Sequence, residues 1–126
     1  MTAKIVAIAL AIVEVSAANT THAESDLNKF LQMSTTTNEY ARDMIEMTLT
    51  GMESGMLWAN TFLRQYRKEQ PLYCQPENLT LTTPQILDML RRGVQADSKI
   101  GQLPVGLGLL TVLRRTFPCP PQNLKP

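Results

Sequence analysis

The chain contains two cysteines, Cys74 and Cys119, which stand at the two ends of one stretch of sequence. Each is followed closely by proline, and the residues between them are predicted to form two helices joined by a short turn. A bond between them would enclose both helices and stabilise the fold by roughly 4 kcal/mol on the chain-entropy model. The alternative is a free catalytic thiol.

The first 23 residues have the pattern of a signal peptide. Lys4 supplies a positive charge, and the apolar run from Ile5 to Val13 is short for a bilayer span. Cleavage after Ala23 is favoured by small residues before it, with a site after Ala17 as the rival. A membrane anchor or a cytosolic amphipathic segment is the alternative to export.

We therefore predict a signal peptide over residues 1–23 and a single exported domain over residues 24–126. Disulfides persist in oxidising compartments, so export favours one bond between Cys74 and Cys119. A domain of this size buries a limited core and gains from such a cross-link.

Composition predicts an all-α fold, namely a small bundle of about four to five helices cross-linked by one disulfide. Helix-forming residues and methionine are plentiful, while β-branched residues cluster at the N-terminus. The formal net charge is +1, which gives no strong field toward nucleic acid or an anionic membrane. We expect neither of these as a partner of the exported domain.

Capping residues and prolines predict where the helices begin and end. The predicted elements are a first helix over Asp26 to Met33 capped by Ser25 or Asp26, a second from about Glu39 to Glu69 capped by Thr37 or Asn38, a third beginning at Thr82-Thr83-Pro84, and a fourth beginning at Leu103-Pro104.

Large apolar residues and glycines recur along one face of the predicted second helix. They are Tyr40, Met44, Met47, Gly51, Gly55, Trp58, Phe62 and Tyr66. Ala59 continues the four-residue spacing of Gly51 and Gly55, and these three small residues are predicted to form a shallow groove that another backbone can approach closely. The groove is either a close crossing with another helix of the same chain or a contact between subunits, and a kink near Gly51 is a third possibility.

The last two helices are predicted to carry most of the remaining core. In the third, the buried face comprises Ile86, Leu87, Leu90 and Val94. In the fourth, apolar side chains point almost all round the axis, which predicts a central, buried helix; they are Leu103, Val105, Leu107, Leu109, Leu110, Val112 and Leu113.

The sequence favours a binding protein over an enzyme. His22 is the only histidine, and cleavage after Ala23 would remove it. Without histidine, neither a cysteine nucleophile with its base nor a Ser-His-Asp triad can form, and histidine-based metal sites are lost. Glu39, Asp43 and Glu46 could mimic a catalytic carboxylate pair, but a solvated helix face is the commoner reading. We expect no catalytic residue, metal site or cofactor.

Several short motifs lie in the region from Glu39 to Cys119. They are Tyr73-Cys74-x-Pro76, Leu79-Thr80, Thr83-x-Gln85, Leu90, Leu103-Pro104 and Leu113-Arg114-x-x-Phe117-Pro118-Cys119. Together they resemble the Tai/Rap family of immunity proteins, which act against amidase effectors of bacterial type VI secretion. Gly51 and Gly55 match the family's glycine-rich helix. Many relatives carry a further cysteine in the first helix, where this chain reads Phe30-Leu31-Gln32-Met33.

The resemblance implies an all-helical, often homodimeric periplasmic protein that binds a cysteine-nucleophile peptidoglycan amidase and blocks its active-site cleft. Blocking a cleft requires a protruding, preorganised segment. The segment Ser98, Lys99, Ile100, Gly101 and Gln102 joins the last two helices and is the predicted partner-binding loop, with an ordinary helix connector as the alternative. A small periplasmic chaperone of the acid-stress type is the alternative function, because methionine-rich apolar surface adapts to varied partners.

Overall fold

The computed structural model describes residues 25–121, and within this range the chain is built from helices without named β-strands. The predicted signal peptide and its cleavage sites lie outside the described residues. The elements are α1 (Leu27–Met33), α2 (Glu39–Phe62), a π-helical turn that continues α2 (Leu63–Arg67), α3 (Thr83–Ala96), a 3-10 turn (Ser98–Gln102) and α4 (Val105–Thr116). The predicted all-α fold is confirmed.

The helices begin close to where the capping residues predicted. The Asp26 carboxylate accepts a hydrogen bond from the Lys29 backbone N–H at 2.8 Å, and the Asn38 side chain accepts one from Ala41 at 3.1 Å. At α3, the backbone N–H of Thr82 donates to Gln85 Oε1 at 2.8 Å. Thr82 is therefore the N-cap, and α3 includes Thr83 as its first residue.

The second helical segment ends at Arg67, two residues before the predicted end. Lys68 adopts the left-handed conformation, with φ of 56°, and its backbone N–H bonds to the Leu63 carbonyl. The N–H of Glu69 reaches the same carbonyl at 3.0 Å. These two bonds satisfy a carbonyl at the end of the helix and turn the chain toward the cysteine loop, a name used here for residues 71–81, which include Cys74.

The core lies where α1, α3 and α4 meet one face of α2. Its buried members are Leu27, Phe30, Ile45, Leu49, Tyr73, Ile86, Met89, Leu90, Ile100, Val105, Leu109, Val112 and Leu113. The prediction that α4 is buried all round is wrong, because α4 packs through one face and leaves Leu107 50 % exposed. Apolar composition alone did not show which side of α4 meets solvent.

The close helix crossings involve glycines other than those predicted. A Cβ at Gly93 of α3 would lie 2.6 Å from Val112 Cγ2 of α4, and one at Gly108 would lie 2.9 Å from Leu27 Cδ2 of α1. At Gly51 and Gly55, by contrast, a Cβ would meet nothing within 4 Å. The prediction of a close crossing within the chain at these two glycines is therefore wrong.

Contacts at two ends of the structure hold distant parts of the chain together: a disulfide with a neighbouring backbone hydrogen bond at one end, and a single backbone hydrogen bond at the other. Cys74 and Cys119 form the predicted disulfide, with an S–S distance of 2.05 Å and Cα atoms 4.8 Å apart. The Cys74 N–H also donates to the Phe117 carbonyl at 2.8 Å. At the other end, the Leu27 N–H donates to the Leu103 carbonyl at 2.9 Å, which holds the start of α1 beside the start of α4.

Candidate functional site

The predicted partner-binding loop is a 3-10 turn with a buried centre and exposed ends. Ile100 is only 2 % exposed and belongs to the core, and Gly101 is buried as well. Ser98, Lys99 and Gln102 are exposed. The middle of the turn therefore faces the core, and only three of its five residues are available to a partner.

Gly101 packs closely against the Asn28 side chain of α1. A Cβ at Gly101 would overlap the side-chain amide of Asn28, so a larger residue would force either this exposed side chain or the turn to move. The Leu103 N–H donates to the Ile100 carbonyl at 3.1 Å, which closes the C-terminal end of the turn. The burial of Ile100 in the core and the packing of Gly101 against Asn28 of α1 preorganise the loop.

Asp97 holds the N-terminal end of the same turn. Its carboxylate accepts hydrogen bonds from Arg115 Nη2 at 3.0 Å and from the Lys99 backbone N–H at 3.2 Å. These two hydrogen bonds lower the pKa of the Asp97 carboxyl below its ordinary value, and the bond from Arg115 has the larger effect. The negative charge of Asp97 thus connects the turn to the last turn of α4.

A row of exposed apolar side chains runs along α2 and its π-helical extension. Here the outer stripe denotes Tyr40, Met44, Met47, Gly51, Gly55, Trp58, Phe62 and Tyr66. Its six large side chains are 46 to 74 % exposed, and both glycines are exposed, whereas neighbouring Ala59 is half-buried. The rings of Phe62 and Tyr66 stack with centroids 5.5 Å apart, which carries the stripe into the π-helical turn.

An apolar groove of about 410 Å³ lies between α1 and the first half of α2. Phe30 and Met33 of α1 form one wall, and Tyr40 and Met44 of the outer stripe form the other. Val105 of α4 also lines the groove. The groove and the stripe are therefore one continuous apolar surface.

A second cleft, of about 500 Å³, has a mixed polar and apolar lining and lies between α2 and the cysteine loop. Glu53 lines it and is only 9 % exposed, and burial raises the pKa of its carboxyl. Burial, together with the nearby Glu53 charge, raises the pKa of Tyr73 to about 12. Neither the Tyr73 hydroxyl nor Gln75 Oε1 has a hydrogen-bond partner within the described protein.

Asn60 connects α2 to the cysteine loop and was not predicted to have a role. Its side chain is 3 % exposed, accepts a hydrogen bond from the Leu72 N–H at 2.7 Å, and donates to the Tyr73 carbonyl at 3.3 Å. A polar residue within a predicted helix gives no sign that its partners lie in a later loop. Asn60 therefore fixes the position of Tyr73 beside Glu53.

The described residues offer no arrangement typical of a metal site or a membrane span. No three His, Cys, Asp or Glu side chains among residues 25–121 are grouped so that they could hold a metal ion. Glu39, Asp43 and Glu46 are exposed on α2. Of the helices in this range, none is both long enough and apolar enough to cross a bilayer.

Compared with protein-family models, with curated proteins and with solved structures, the chain matches none of them.

Proposed function

We propose that this protein is a periplasmic immunity protein that binds a type VI secretion peptidoglycan amidase and blocks its active-site cleft. The proposal starts from the resemblance to the Tai/Rap family and includes the homodimer that the resemblance implies. The observation that carries it is the 3-10 turn, whose buried Ile100 and Gly101 hold the exposed Ser98, Lys99 and Gln102 in one conformation.

A loop that is already ordered loses little conformational entropy when it enters a cleft, which favours tight binding. Three independent contacts order this one. They are the packing of Gly101 on Asn28, the pairing of Asp97 with Arg115, and the bond between Leu103 and Ile100. The protein would act by binding alone, as an inhibitor without catalytic residues.

The decisive measurement is hydrolysis of peptidoglycan by the cysteine-nucleophile amidase encoded next to this gene, with and without excess protein. We expect one protomer to inhibit one amidase molecule. Full amidase activity at saturating protein would refute the proposed function.

The role of the loop can be tested by changing its exposed ends. We expect Lys99→Glu combined with Gln102→Ala to weaken inhibition by roughly 10-fold or more, since side chains at the centre of an interface dominate its affinity. Arg64→Glu is the matched control, because Arg64 carries the same charge but lies 3.9 Å from Glu77 of the cysteine loop. Equal inhibition by both variants would exclude the loop as the contact.

The second candidate is a small periplasmic chaperone, and the outer stripe is the observation that favours it. Exposed methionine and aromatic side chains such as Met47 and Trp58 form an adaptable apolar surface. A chaperone should suppress aggregation of unrelated proteins at low pH, and it should lose this ability in Trp58→Glu. Absence of suppression at every pH would eliminate this candidate.

A further inference from the structure

Two opposite faces of α2 are apolar, and only one of them is used by the core. Ile45 and Leu49 are buried, while the outer stripe lies on the other side of the same helix. A surface helix normally has one apolar face, and a helix that is apolar on both sides is covered on both. Within residues 25–121, nothing covers the outer stripe.

The residues of the outer stripe are arranged almost symmetrically about the middle of the stripe, so their spacing is nearly the same from the N-terminal end as from the C-terminal end. The midpoint between Tyr40 and Tyr66 is position 53, and so are the midpoints between Met44 and Phe62 and between Gly51 and Gly55. The midpoint between Met47 and Trp58 falls within half a residue of that position. A surface with this symmetry is complementary to a second copy of itself turned by a two-fold axis.

Antiparallel pairing about position 53 brings chemically suited side chains together. Met44 would face Phe62 of a second copy, and Met47 would face Trp58, which are favourable contacts between a thioether and an aromatic ring. Gly51 would face Gly55 at the centre. Because neither position has a side chain there, the two helix backbones can approach closely at the crossing.

The charges of α2 favour the same antiparallel direction. The first half of α2 is mainly acidic, and the π-helical turn that continues α2, together with Lys68, is basic. An antiparallel pair places each acidic half beside the basic end of the other copy, whereas a parallel pair places like charges together. The acidic residues are Glu39, Asp43 and Glu46, beside the single cation Arg42, and the basic ones are Arg64, Arg67 and Lys68.

The exposed area is sufficient for a stable dimer. Six large side chains that are each about half to three-quarters exposed offer on the order of 800 Å² per copy, which equals a standard protein interface. We propose that the outer stripes of two antiparallel α2 helices form the two-fold interface between copies of this chain. This inference rests on the homodimer included in the proposed function and names its interface. Sedimentation tests the interface and the amidase assay tests inhibition, so failure of one is distinguishable from failure of the other.

Sedimentation equilibrium of the protein produced from the full-length gene tests the interface. We expect twice the protomer mass at micromolar concentration, and the protomer mass for Trp58→Glu and for Gly51→Leu. Both changes are accommodated by the protomer itself, because Trp58 is exposed and nothing lies within 4 Å of a Cβ at Gly51. Leu107→Glu, which alters an exposed apolar residue on α4, is the control that should remain a dimer.

The direction of pairing is tested with a spin label on Glu39→Cys. Since the helix rises 1.5 Å per residue, antiparallel copies related about position 53 place the two labels about 40 Å apart. Parallel copies would place them at about the distance between the helix axes, roughly 10 Å. Pulsed electron resonance distinguishes the two distances.

Several outcomes would overturn the inference. The wild-type protein could sediment as a protomer at all concentrations, or the dimer could persist in both Trp58→Glu and Gly51→Leu. A short distance between the labels would exclude the antiparallel arrangement. If the wild-type protein is a monomer and Trp58→Glu abolishes its inhibition of the amidase, the outer stripe binds the amidase and not a second copy of the chain.

Discussion

At the scale of single residues, Glu53 is the least expected feature of the molecule. A glutamate on an amphipathic helix is normally solvated, yet this one is almost fully buried beside the unpartnered hydroxyl of Tyr73. Its pKa is raised by burial, so the folded protein holds the Glu53 proton more tightly than the unfolded chain does.

The sign of the resulting pH dependence follows from linkage. The stabilising contribution of protonated Glu53 is complete below the ordinary pKa of 4.5 and is lost as the pH rises through the higher pKa of the folded state. We therefore expect Glu53→Gln to raise the free energy of unfolding at pH 7 and to leave it nearly unchanged at about pH 4. Urea denaturation of both proteins at the two pH values measures this difference.

Glu46→Gln is the control, because Glu46 is exposed on the same helix. It should alter the free energy of unfolding little at either pH. A Glu53→Gln variant that is equally stable, or less stable, at pH 7 would contradict the desolvation of Glu53. The sequence did not reveal this residue, since its spacing from the other acids on α2 is that of a solvated face.

At the scale of elements, the joint between α2 and the cysteine loop depends on Asn60. Replacing it by leucine leaves the Leu72 N–H and the Tyr73 carbonyl without their partner. We expect Asn60→Leu to lower the free energy of unfolding by roughly 2 kcal/mol, the cost of unsatisfied groups away from water. Chemical denaturation followed by circular dichroism gives this value.

Asn78→Leu is the matched control for this joint. Asn78 is exposed in the cysteine loop, so the same substitution there should change stability by no more than about 0.5 kcal/mol. Similar losses at both positions would show that the hydrogen bonds of Asn60 contribute nothing particular.

The helices themselves were largely predictable, whereas the orientation of α2 was not. Asp26, Asn38 and Thr82 mark helix starts through local hydrogen bonds, which depend on neighbours along the chain. The core face around Ile45 and the outer stripe around Met44 both repeat at helical spacing, so periodicity alone could not decide which one is buried. That choice is made by the other helices.

The predicted partner-binding loop also shows that spacing along the sequence does not determine which residues are buried. Ser98 to Gln102 was correctly predicted to connect two helices, but Ile100 and Gly101 are buried beneath it rather than presented by it. Contacts with Asn28, far away in the sequence, decide this. Spacing within the segment contains no information about α1.

At the scale of the whole molecule, the disulfide is expected to be the largest single contribution to stability. It joins residues separated by 45 positions, and closing such a loop lowers the conformational entropy of the unfolded chain. We expect replacement of both Cys74 and Cys119 by alanine to lower the free energy of unfolding by about 4 kcal/mol. Denaturation with and without a thiol reductant provides the measurement.

The reductant also supplies the control for this prediction. It should destabilise the wild-type protein by a similar amount and leave the double alanine variant unaffected. Equal stability of the reduced and oxidised proteins would mean that noncovalent packing alone determines the fold.

The position of the bond divides the protein into two mechanically different parts. The loop between Cys74 and Cys119 contains α3, the 3-10 turn and α4, while α1 and α2 lie outside it. A force that pulls on the two ends of the chain can peel away α1 and α2, but the closed ring transmits tension through its sulfurs. The helices inside the ring bear no tension and do not extend. Because the 45 positions between the cysteines cannot be stretched, the fully extended protein stays about 150 Å shorter than a chain without the disulfide.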